Sequence, residues 1–166
     1  MKLGYVTAAA LLAAVPFTVT SPPAAALETT HIVKLTATMR TYACCDFLTE
    51  KSHEENTTLH STLNLTNSKR HAEKKFELCA GEEARGVLRI HADLLTSGEV
   101  QLSPWLTLYE GTSCLSTDDE GRSDFAARNL KSGRGSMTWE MTVHNTEFHS
   151  DDEAFAKLTV THDIWP

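Results

Sequence analysis

Beyond its first 26 residues the chain has no apolar run of the roughly 20 residues that a membrane-spanning helix needs. Nor does it have an excess of positive charge. Lys and Arg number 15 against 22 Asp and Glu, a formal net charge of -7, which argues against nucleic acid or an anionic membrane surface as a partner. The nucleophile elbow G-x-S-x-G and the metalloprotease helix H-E-x-x-H are both missing. There is no cysteine spacing of a zinc site and no EF-hand loop. Internal repeats and low-complexity linkers are absent, as is any stretch with a sustained helical period.

What is present begins with a leader. Lys2 is the only early charge, an apolar run covers Ala8–Val15, and Ala24-Ala25-Ala26 offers an A-x-A cleavage site before Leu27. Residues 1–26 are therefore expected to be a secretory signal peptide. Residues 27–166 are then one domain with no membrane span, secreted and extracellular. A chain of that length buries roughly two-thirds of its unfolded surface and does not depend on disulfides to fold. Its four cysteines, Cys44, Cys45, Cys79 and Cys114, are an even set in an exported chain, which points to two disulfides.

The clearest pattern is Ala84–Gly111. Gly86, Leu88, Ile90, Ala92 and Leu94 alternate with Arg85, Val87, Arg89, His91 and Asp93, the two-residue period of a half-buried strand. Thr96-Ser97-Gly98 turns the chain, and Val100, Leu102, Leu106 and Leu108 line the return strand. Similar alternation predicts strands over Thr29–Tyr42, Thr57–Asn67, Lys74–Cys79, Asp124–Leu130, Ser136–His144 and Glu153–Thr161. Asp46–Asn56 and Gly111–Gly121 read as loops. Pro104 places its strand at a sheet edge or a bulge. About eight strands with turn signals between them predict an all-β, antiparallel β-sandwich, with an up-and-down barrel as the alternative.

Strands that reverse direction in turn put alternate connections at one end. That end collects Ala43–Asn56, Cys79–Glu83, Gly111–Arg122 and Asn145–Asp152, and with them all four cysteines and most loop carboxylates. Consecutive strand residues point to opposite faces, so Cys44 and Cys45 are each expected to bond a distant cysteine, Cys79 or Cys114.

Three groups are candidates for function. Trp105 and Tyr109 share the face opposite Leu106 and Leu108, forming a possible ligand-binding aromatic stripe. Asp118 and Asp119, with Asp151 and Asp152, lie on loops expected to be neighbours. They are the candidate donors for Ca2+, which takes six to eight oxygens, often from separate loops. The same carboxylates are the candidate pair for hydrolysis. His60, His91 and His144 fall in outward phase without a paired metal-site spacing, and read as surface histidines. Asn56-Thr57-Thr58 and Asn64-Leu65-Thr66 are glycosylation sequons that matter only in a eukaryotic secretory pathway. The expected function is a secreted, non-catalytic binding module for an extracellular protein or glycan. A small secreted hydrolase and an extracellular structural or inhibitory protein are the alternatives.

Overall fold

The alternation of apolar and polar side chains becomes two packed sheets in the computed structural model, which describes residues 28–44, 52–145 and 151–166. The expected leader, Cys45, Asp46 and Glu50 lie outside the described residues. The described chain forms β1 (Thr30–Ala43), β2 (His53–Leu65), β3 (His71–Ala80), β4 (Ala84–Leu94), β5 (Val100–Glu110), β6 (Asp118–Asp124), β7 (Arg128–Leu130), β8 (Ser136–His144) and β9 (Glu153–Trp165). One sheet has the order β2-β1-β9-β8. The other runs β3-β4-β5-β6, with β7 also pairing β5. All pairings are antiparallel. Two sheets face to face make the β-sandwich, and the barrel alternative is set aside. No helix of the described residues is long and apolar enough to cross a membrane.

The core is the inward set read from the sequence. Leu35, Leu88, Ile90, Leu106, Met141 and Leu158 are among its fully buried members, each stabilising by about 1.5–3 kcal/mol relative to an exposed side chain. The sheets approach closely where β4 carries Gly86. A Cβ there would lie 2.8 Å from Thr41 Oγ1 and 3.1 Å from Ala154 Cβ. Thr41, fully buried, donates its hydroxyl to the Leu78 carbonyl at 3.2 Å and so links the two sheets.

Several strand boundaries shift, β3 starting at His71 and β9 running on to Trp165, and two segments differ more deeply. β2 starts at His53, inside the expected Asp46–Asn56 loop, and its first four residues are exposed on both faces. They are held by the ladder to β1 from Arg40↔Asn56 to Ala43↔His53. The expected strand Asp124–Leu130 is replaced by β6 and the three-residue β7, so Asp118 and Asp119 are strand residues rather than loop residues.

Pro104 explains the break. β5 is not an edge strand, for it lies between β4 and the pair β6/β7. The Phe125 N–H donates to the Pro104 carbonyl at 3.3 Å, so the main-chain polar groups of Pro104 face the β6/β7 side. Proline has no N–H to offer there. The partner strand stops at Trp105↔Asp124 and resumes at Leu102↔Arg128. Nor is β5 bulged at Pro104: the register shift falls further along, where Leu108 pairs Gly121 and Tyr109 pairs Asp119, and the extra residue, Glu120, is on β6.

Among the described residues, the ends of the loops expected to cluster do lie together. Cys79 at the end of β3 is bonded to Cys114 in the β5–β6 loop. Gly111 donates its N–H to Glu83, Asn145 donates to Glu110, and the Cys44 N–H donates to Asp152 Oδ1 at 2.6 Å. The pairing itself corrects the sequence reading. Cys79 and Cys114 take each other, so neither bonds Cys44 or Cys45. Cys44 is also disulfide-bonded, and no described cysteine is free. Strand phase told which face a cysteine leaves from, but not which loop would reach it.

Candidate functional site

The outer face of the five-stranded sheet carries the chemistry. Its side chains alternate with the buried set of β3, β4 and β5, and the registers stack them in cross-strand rows. Lys75 lies opposite Arg89, Arg89 opposite Trp105, and Trp105 opposite Asp124. Cys79 lies opposite Arg85, Arg85 opposite Tyr109, and Tyr109 opposite Asp119. Between these rows Glu77, Val87, Thr107 and Arg122 follow one another across the sheet. Trp105 and Tyr109 thus share one half-buried face, as their spacing predicts.

They do not form a bare aromatic platform. The Arg122 guanidinium lies 4.9 Å from the Trp105 ring centre, and Arg85 lies 4.8 Å from that of Tyr109. The His91 ring meets Trp105 edge-on at 4.6 Å. Each guanidinium is steered by a second contact. Arg122 bridges Asp124 at 2.6 Å, and Arg85 bridges Glu77 at 3.6 Å while donating to the Ser116 carbonyl at 2.6 Å. Cation–π contact of this kind contributes about 0.5–1 kcal/mol at exposed sites. A shallow hollow of about 320 Å³ opens beside Tyr109, lined by Lys75, Glu77, Arg85, Arg89, Thr117 and Asp119 among others. The arginines were not singled out in the sequence. Arg85 and Arg89 do fall in the outward phase of β4, which was the available signal.

The four aspartates are not gathered. Consecutive residues of β6 point to opposite faces. Asp119 lines the hollow beside Tyr109, and its Oδ1 accepts the Gly121 N–H at 3.1 Å. Asp151 lines a separate hollow of about 290 Å³ with Arg40, Tyr42, Glu54 and Glu153, on the other sheet. Asp152 is 2% exposed and is occupied by the Cys44 N–H. Among the described residues no three His, Cys, Asp or Glu side chains are placed to hold a metal ion. The expected Ca2+ donor set, and the same residues as a hydrolytic pair, are therefore dispersed by the strand that replaces the expected loop.

Of the surface histidines, His60 meets Thr36 Oγ1 at 3.1 Å, His91 bridges Glu73 at 3.3 Å and His144 bridges Glu153 at 3.4 Å. A different pair is buried. His31 and His162 extend the inward phase of β1 and β9 at the opposite end of the sandwich, 7% and 2% exposed, with His31 Nδ1 and His162 Nε2 2.9 Å apart. The sequence reading missed them, although both continue the inward phase of their strands.

No protein-family model matches the chain, and no curated protein matches it. Two solved structures show a distant likeness over 82% of this chain, each at 8% identity and a TM-score of 0.19. One is a near-atomic-resolution cryo-EM structure of the Salmonella SPI-1 type III secretion injectisome secretin InvG, of which this chain spans 62%. The other is an atomic model of the Salmonella SPI-1 injectisome basal body proteins InvG, PrgH and PrgK, of which it spans 44%. A likeness of that size carries neither fold nor function across.

Proposed function

We propose that the protein is a secreted, non-catalytic binding module, and that it meets an extracellular protein through the outer face of its five-stranded sheet. The observation that carries this reading is the pairing of Trp105 with Arg122 and of Tyr109 with Arg85 on one half-buried face. Trp, Tyr and Arg are the residue types that dominate binding energy in protein interfaces. Here each ring is held in place by a guanidinium, so little side-chain freedom remains to be lost on binding. Rings paired in this way offer a guanidinium beside each aromatic face. That suits a protein surface better than the open ring faces on which sugars stack. A shallow hollow lets a partner side chain enter while leaving the face broad.

The test is capture of extracellular protein by residues 27–166, compared with Trp105→Ala and with Arg85→Ala. Loss of at least tenfold in affinity in both variants, with melting unchanged within a few degrees, is the expected result. Equal capture by all three places the interface elsewhere. Capture of a polysaccharide but no protein would favour the glycan reading.

A further inference from the structure

We propose that His31 and His162 form an acid-operated latch that holds β7 and the 131–135 turn against the sandwich and releases them when the pair takes up protons. The hydrogen bonds fix where the protons sit. His162 Nδ1 lies 3.1 Å from the Leu130 carbonyl, which only accepts, so that nitrogen carries hydrogen. In the neutral ring Nε2 is then an acceptor. His31 Nδ1, 2.9 Å away, must donate to it. Every contact is satisfied with both rings neutral. A first proton can be shared along the His31–His162 hydrogen bond but leaves an uncompensated charge in a buried site, and a second sets two N–H donors against each other there.

Burial pushes both imidazoles below their ordinary pKa, and for His31 the neighbouring ring adds to the effect. At His162 the Leu130 carbonyl and Asp163 act in the opposite direction. The charged groups around the pair are engaged elsewhere. From β9 Asp163 bridges Lys34 of β1 at 2.9 Å, and from the β4–β5 hairpin Glu99 bridges Lys131 at 3.3 Å. Arg70, before β3, donates to the Leu94 carbonyl, and Arg128 of β7 lies over Trp139. Arg134 lines the neighbouring hollow with Lys131 and Glu99, and Glu28 is held by Ser68. No described carboxylate bridges either ring.

The element that would move is lightly held. β7 pairs β5 over three residues, Leu130 packs at 3% exposure, and Gly133 donates its N–H to the His162 carbonyl at 2.9 Å. Release would bare the β5 edge at Val100–Leu102 and uncover the Trp139 indole.

Hydrogen exchange of residues 27–166 between pH 8 and pH 5, corrected for intrinsic rates, tests this. Opening of 128–135 should increase about tenfold per pH unit for one proton taken up, and about a hundredfold for two, once pH falls below the ordinary histidine range. The β1–β9 ladder should stay protected. His31→Gln and His162→Gln, which cannot titrate, should flatten the profile. Unchanged pH dependence in either variant, or uniform loss of protection along the chain, would overturn the latch. If the variants do not fold, imidazole titration of the unaltered protein by NMR decides. Two rings must titrate below the other histidines, together with the loss of protection, and titration of all rings in the ordinary range refutes the proposal.

Discussion

Gly86→Ala should destabilise the protein, although in most strands the same change is neutral or helpful. Gly86 has ordinary strand φ, so alanine suffers no backbone strain, and removing a strand glycine alone would stabilise by roughly 0.5–1 kcal/mol. The methyl group, however, arrives 2.8 Å from Thr41 Oγ1 and 3.1 Å from Ala154 Cβ. Overpacking of a close-packed interior costs about 1–3 kcal/mol. Moving Thr41 also breaks its bond to the Leu78 carbonyl, a further ~1 kcal/mol. The net expectation is a loss of about 2 kcal/mol, or roughly 6 °C in melting temperature for a domain of this size. Urea unfolding is the assay, with an unchanged m-value to show that the unfolded state is the same. Thr41→Ala completes a double-mutant cycle. Removing Oγ1 relieves the nearer clash, so the double variant should lose at least 0.5 kcal/mol less than the sum of the singles. Strict additivity, or a stabilising Gly86→Ala, would show that the sheets are not in contact at this point.

Replacing both Cys79 and Cys114 with Ser opens a bridge that spans a sequence separation of 35. The chain-entropy relation gives a loss of about 4 kcal/mol, measurable by calorimetry, and non-reducing peptide mapping of the unaltered protein should yield the Cys79–Cys114 peptide directly. Asp152→Ala leaves the Cys44 N–H without its acceptor and should cost about 1–3 kcal/mol. Asp152→Asn keeps an oxygen in place and should lose less than half of that, and equal losses would mean the hydrogen bond is not what matters. The stability curve should also bend with pH. The folded state keeps His31 and His162 neutral, so their contribution is fully present above the unfolded histidine pKa. It is lost as pH falls from there toward the lowered folded values, at up to about 1.4 kcal/mol per pH unit for each ring.

The strands with one buried and one solvated face were legible in the sequence. β4, β5, β8 and β9 show the alternation that burial requires, and their inward residues are the observed core. The start of β2 and all of β6 were not legible, because no residue there is buried. Their pairing is made by the main chain, which leaves no mark on side-chain pattern. The candidate site divides along the same line. Trp105 and Tyr109 could be placed on one face from spacing alone. The covering of their rings by Arg122 and Arg85 depends on which strands are neighbours, and alternation does not reveal sheet order. The acidic runs misled because they were read as loop residues. Adjacent residues in an extended chain diverge, so Asp118 and Asp119 could converge on one ion only if they lay in a loop.

Pro104 has a further effect on how this protein behaves in concentrated solution. A continuous outer strand beside β5 would expose an unbroken row of N–H and C=O groups, a template on which another chain could build. By interrupting that strand into β6 and β7, the proline leaves two short edges in its place, of seven and three residues. The longer one bears Asp118, Asp119, Glu120, Arg122 and Asp124, and the shorter begins with Arg128. Neither edge offers the long, flat, uncharged run that strand-on-strand aggregation needs. Restoring the donor with Pro104→Val would allow β6 and β7 to join, so a substitution that looks stabilising within one molecule would make the protein more prone to self-associate.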